Sequence, residues 1–122
     1  MAEYVIENGR IYTEEEIIER GYIIVKNDKI TDVGKGDYEG ALTTYDAQGQ
    51  HVLPGFIDIH MHGGYGEDAM DASYDGLKHL AESLLSEGTT SFLATTMTQS
   101  DENITKALEN IIEYQKQQNV LK

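Results

Sequence analysis

Two histidines one residue apart, His60 and His62, close the run Leu53-Pro54-Gly55-Phe56-Ile57-Asp58-Ile59-His60-Met61-His62-Gly63-Gly64. Extended backbone alternates its side chains, so Phe56, Asp58, His60 and His62 share one side of a strand. Residues two apart on such a face are about 7 Å apart at Cα. At that spacing two imidazoles can converge on one metal ion. Only the neutral ring has a lone pair to give, so the pair would release its ion on acidification. Zinc, iron(II), manganese and cobalt all accept two nitrogens together with carboxylates. Asp58, one step deeper on the same face, is either a carboxylate that orients His60 or a hydrogen-bonded acid with a structural role. Two histidines on a strand also suit an ordinary polar face. Ligation is favoured because the pair ends the strand and two glycines follow. Gly63 and Gly64 let the chain turn sharply and leave the mouth of the site open. A catalytic zinc ordinarily takes three protein ligands, so further ligands are expected from outside this pair.

The neighbouring elements must hold the pair in place. Ile57, Ile59 and Met61 point the other way and are expected against an apolar partner. Downstream, Ser73 or Asp75 can cap a helix running to about Glu87. Leu77, Leu80, Ala81, Leu84 and Leu85 fall on one face of it, and Gly88 stands just past its end. His79 lies off that stripe and reads as a surface residue. Thr89 to Thr98 is the next strand, with Phe92 and Leu93 at its centre. Thr95, Thr96 and Thr98 near its end read as structural hydroxyls. Ser100 caps a second helix whose first turn holds Asp101 and Glu102. Its apolar stripe is Ile104, Ala107, Leu108, Ile111 and Ile112, with fraying expected from Gln115 to Asn119. Val120-Leu121-Lys122 falls where a third strand would begin. The order strand, helix, strand, helix implies a right-handed crossover and a parallel pair.

Upstream, residues 1–52 read as a small antiparallel domain of short strands. Tyr4–Glu7 and Arg10–Thr13 are expected to form a hairpin about Asn8-Gly9. Gly21–Lys26 and Lys29–Gly34 follow about Asn27-Asp28, with a bulge where Ile30 and Val33 break strict alternation. Gly34 to Gly40 is loop, Thr43–Ala47 is another strand, and no catalytic constellation is visible. The one proline, Pro54, marks the boundary with residues 53–122.

The chain has 122 residues, which suits one ordinary domain and not a complete eight-stranded barrel. Its net charge is −13, without a basic cluster, which argues against nucleic acid and anionic membranes as partners. There are no cysteines, so disulfides and thiolate chemistry are excluded within it, and a cytoplasmic location fits. No signal peptide and no membrane-length apolar run is apparent.

Pro54 to Gly63 resembles the first barrel strand of the amidohydrolase superfamily. The continuation Gly64-Tyr65-Gly66-Glu67-Asp68-Ala69-Met70-Asp71, with Gly88-Thr89-Thr90-Ser91-Phe92-Leu93-Ala94-Thr95-Thr96, is similar to the N-acetylglucosamine-6-phosphate deacetylases within it. The resemblance implies an α/β fold: a (β/α)8 barrel of a metal-dependent hydrolase preceded by a small β-sandwich, incomplete in this chain. Residues 53–122 would be the first two β/α units. It implies His60 and His62 as ligands to one or two divalent ions. It also implies a small sugar-phosphate substrate, deacetylation to glucosamine 6-phosphate and acetate, and a homo-oligomer, a dimer. In relatives the other ligands are a glutamate after the third strand and two later histidines, and a late-strand aspartate moves the proton. No catalytic residue is therefore expected in this segment, which alone would be inactive and prone to self-association. Some relatives carry amides in place of both first-strand histidines and hold one metal. A dihydroorotase-like or deaminase-like amidohydrolase and a non-catalytic β-rich binding module are the alternatives.

Overall fold

Isoleucine, valine and tyrosine make up most of the apolar residues before Pro54, and their branched or planar side chains favour a pleated surface. A computed structural model describes residues 3–118, which group into two compact units that divide after Pro54. The first holds β1 (Glu3–Tyr12), β2 (Ile17–Lys26), β3 (Lys29–Lys35), β4 (Thr43–Asp46) and β5 (His51–Val52). Strand order is β3-β2-β1-β4, with β5 also on β1. Ile11, Ile18, Ile23 and Val25 form its core, with Tyr4, Ile6 and Val52 packed against them. The β2–β3 hairpin turns at Asn27 and Asp28, both at positive φ (52° and 61°), the geometry a two-residue hairpin loop needs. The expected irregularity in β3 is present: Ile24 pairs with Asp32 but Val25 with Ile30.

Two expectations fail here. The sheet is mixed and not antiparallel, since β1 runs antiparallel to β2 but parallel to β4 and β5. The cause is the segment between β3 and β4. It delivers the chain to the far edge of β1 in the same sense as β3, so it is a crossover and not a hairpin loop. Tyr38 on this crossover packs edge-on against Tyr22, ring centroids 5.4 Å apart.

Asn8-Gly9 is also not a hairpin turn. It is an irregularity inside one 10-residue strand, with shifted register on both sides of Gly9. Asn8 has φ 56°, and its side-chain amide donates to Asp46 Oδ1 at 2.8 Å. Its carbonyl accepts from Gly49 N at 2.7 Å. A Cβ on Gly9 would lie 2.6 Å from Val52 Cγ2, so only glycine allows this approach. Here β1 changes its parallel partner from β4 to β5.

The second unit pairs β6 (Phe56–Met61) in parallel with β9 (Thr89–Ala94). Between them come the small hairpin β7 (Gly63–Gly64) and β8 (Glu67–Asp68), a 3₁₀ turn (Ala69–Asp71), α1 (Tyr74–Leu84) and a second 3₁₀ turn (Leu85–Glu87). Helix α2 (Asp101–Gln117) follows β9. Ser73 Oγ accepts from Gly76 N at 3.0 Å and starts α1, which buries Leu77, Leu80 and Leu84. Gly88, at φ 81°, ends the second 3₁₀ turn, and its carbonyl takes the Phe56 amide at 2.8 Å.

Strand β9 stops at Ala94, four residues before the expected Thr98. The buried line on α2 also differs. Ala107 and Tyr114 are buried, Ile104 and Ile111 half-buried, and Leu108 and Ile112 exposed. Tyr114 rotates the line, because its ring packs edge-on against Tyr74 with centroids 5.5 Å apart. Ile57 and Ile59, expected against an apolar partner, are 69% and 74% exposed, since no described element of the second unit covers them. Asn119 and the third-strand start expected at Val120–Lys122 lie outside the described residues.

Candidate metal centre

Strand β6 carries Asp58 and His60, and His62 follows directly after its last residue, Met61, so the two rings meet at the strand's C-terminal end. The Nε2 atoms of His60 and His62 stand 3.2 Å apart, with ring planes at 79°. Two nitrogens bound to one tetrahedral zinc at 2.0–2.1 Å lie about 3.3 Å apart. The residues present therefore fit a shared cation without rearrangement of the backbone.

Each ring is set by a different neighbour. His62 is half-buried, and its Nδ1 lies 2.9 Å from the carbonyl oxygen of Thr95. Thr95 is fixed in turn: its amide donates to Met61 O at 2.8 Å and its hydroxyl to Leu93 O at 3.1 Å. The end of β9 thus grips the end of β6 on both sides of the Met61 peptide. His60 is exposed, and Asp58 does not reach its ring. The Asp58 carboxylate accepts from the His60 backbone amide at 2.9 Å and so fixes the strand.

Immediately after His62 the chain folds back. Ala69 N donates to His62 O at 2.8 Å, and Gly63 pairs with Asp68. A Cβ on Gly63 would sit 2.0 Å from Glu67 O, a backbone clash with no escape, so glycine is required. The acids of this stretch have other work. Asp68 Oδ1 accepts from Met70 N at 2.8 Å and Asp71 Oδ2 from Asp68 N at 3.0 Å, a capping box on the 3₁₀ turn. Glu67 meets the exposed His79 at 3.0 Å. Among the described residues no third histidine, cysteine or carboxylate joins His60 and His62. Sequence reasoning missed the Thr95 carbonyl, and no residue type could have signalled it, because every residue carries that group.

A family profile described as the amidohydrolase family matches residues 51–119, more than half of the chain. The chain belongs to the amidohydrolase family. Both histidines lie inside the match, and this family is generally metal-dependent. Within the family the chain is similar to N-acetylglucosamine-6-phosphate deacetylase of Bacillus subtilis (strain 168), 45% identical over 115 residues, covering 90% of this chain and 28% of that protein. The crystal structure of N-acetylglucosamine-6-phosphate deacetylase from Pasteurella multocida superposes with a TM-score of 0.86 at 32% identity, covering 96% of this chain and 31% of that one. A shorter match, 44% over 52 residues, is to 5-methylthioadenosine/S-adenosylhomocysteine deaminase of Bacillus thuringiensis (strain Al Hakam), covering 40% of this chain and 12% of that protein. The chain therefore spans less than a third of the length of these amidohydrolases. The resemblance drawn from Pro54–Gly63, Gly64–Asp71 and Gly88–Thr96 points to the same deacetylases.

Proposed function

We propose that His60 and His62 contribute two ligands to the metal centre of a deacetylase acting on N-acetylglucosamine 6-phosphate. Water adds its oxygen to the acetyl carbon, the C–N bond breaks, and the amine leaves with the proton, giving glucosamine 6-phosphate and acetate. One or two divalent ions, from zinc, iron(II), manganese and cobalt, would supply Lewis-acid polarisation of the acetamide and acidify water. The chain's own residues present two lone pairs at a strand end, hold the backbone beneath them through Asp58, and fold away at Gly63. No catalytic acid or base is assigned to this chain, which alone should be inactive. The observation that carries the chemistry is the 3.2 Å convergence of the two Nε2 atoms. Similarity over 90% of the chain to a deacetylase supports the substrate.

The strand–helix–strand–helix order of residues 53–122 supports the first two units of a (β/α)8 barrel, and residues 1–52 would be part of a small β-sandwich. Assembly as a homodimer and a cytoplasmic location belong to the same reading, the latter in keeping with the lack of cysteines. The deaminase match favours a second reading, a metal-dependent deaminase, but it covers 40% of the chain.

Cobalt(II) absorbance titrations test the pair. His60→Ala and His62→Ala should each weaken binding more than about tenfold, while His79→Ala should not. Equal binding by all three would remove the reading. Acetate release from N-acetylglucosamine 6-phosphate, with chelator as control, tests the reaction in the protein at its relatives' length.

A further inference from the structure

We propose that His60 and His62 are unequal partners: the Thr95 carbonyl presets His62 as the Nδ1–H tautomer, and His60 carries the single proton that a cation must displace. The part played by the cation rests on reading the pair as ligands, whereas the tautomers rest on the hydrogen bonds alone. A carbonyl oxygen has no proton to give, so at 2.9 Å the His62 Nδ1–H is the donor and Thr95 O accepts. In the neutral ring the other nitrogen, Nε2, is then a bare lone pair. That lone pair faces His60 Nε2 at 3.2 Å, so His60 Nε2–H donates to it. His60 Nδ1 is left as the unprotonated nitrogen. It has no hydrogen-bond partner among the described residues, its ring is exposed, and Asp58 is engaged with the backbone amide.

Two consequences follow from this chain of donors. A cation meets the His62 lone pair ready-made. It takes His60 only when the Nε2 proton leaves to water and another arrives at Nδ1 from water, with no net change in ring protonation. Thr95 is a positioning residue that acts through its backbone. Its carbonyl is aimed by the backbone bond that its own amide donates to Met61 O at 2.8 Å. Nδ1–H is the minor tautomer of free histidine, so the preset has a signature that an unconstrained ring does not.

Long-range proton–nitrogen correlation spectra of metal-free, ¹⁵N-histidine-labelled protein, at a pH where the rings are neutral, read the tautomers directly. Single substitutions assign the 4 histidines. His62 should show a protonated Nδ1 and a bare Nε2, and His60 the reverse. Zinc should shift His60 to Nδ1–H and leave the His62 protonation pattern unchanged. His60→Ala and Thr95→Val should both keep the His62 pattern, since the carbonyl remains. A protonated Nε2 on His62, or averaging between tautomers, overturns the proposal even if zinc binds. The expected pattern with no response to zinc leaves the preset standing and removes only the ligand reading.

Discussion

Asp46 shows how a single carboxylate anchors an irregular strand. The side-chain amide of Asn8, and then the backbone amide of Gln48 at 2.7 Å, hold its carboxyl below its ordinary pKa. A depressed folded-state value means a contribution that is complete above the unfolded-state pKa and is lost as pH falls through the folded one. Asn8→Ala should raise the Asp46 midpoint in a carbon-detected carboxyl titration. Denaturation series should then show a shallower loss of stability below about pH 4. An unmoved midpoint would mean that the Asn8 contact contributes nothing. At this scale the sequence showed His60, His62 and the capping serines, because their chemistry resides in the side chain. It did not show the role of Asn8. Its local preference suggested a turn, and a partner 38 residues away decided otherwise. Thr95 was read for its hydroxyl, whereas its carbonyl meets His62.

Helix α1 separates two kinds of contribution within one element. Ser73 satisfies one backbone amide at its start, and Leu80 is 1% exposed at its middle. Ser73→Ala should cost about 1 kcal/mol and Leu80→Ala about 2–5 kcal/mol, read as shifts in urea midpoint at constant slope. The reverse order would mean that capping, not packing, holds the helix. This helix was legible because its leucines repeat every three or four residues between a serine and a glycine. Helix α2 was legible in extent but not in rotation. Its apolar stripe was drawn through Leu108 and Ile112, and aromatic packing of Tyr114 on Tyr74 turned those two outward. Burial also pushes the Tyr114 hydroxyl above its ordinary pKa. Strands β3 and β4 and the second half of β2 were legible, whereas β1 was read as two strands, residues 17–20 and β5 were missed, and the pairing was not visible. Parallel placement of β4 depends on where a crossover lands, which local sequence does not encode.

For the molecule as a whole, charge and apolar surface pull in opposite directions. Ile57, Ile59 and Leu93 are exposed on the strands β6 and β9, and each of these strands has one unpaired edge among the described residues. Such edges and faces favour association, while a net charge of −13 opposes it. Salt screens the repulsion and leaves the apolar attraction. Light scattering should therefore give a mass above the 13.6 kDa of one chain, rising with protein and salt concentration, and Ile59→Lys should lower it. A single-chain mass at every salt concentration would contradict this. No helix among the described residues is long and apolar enough to cross a membrane.

The clasp between His62 and Thr95 joins positions 33 residues apart. Closing a loop of that length costs chain entropy before the contact offsets it, so the clasp is expected to form late in folding. On that expectation the two imidazoles come together after the rate-limiting step and not before it. A cation should lengthen the lifetime of the finished structure and leave the speed of its formation unchanged. Stopped-flow traces with and without zinc would show one limb of the kinetic plot moving while the other stays still.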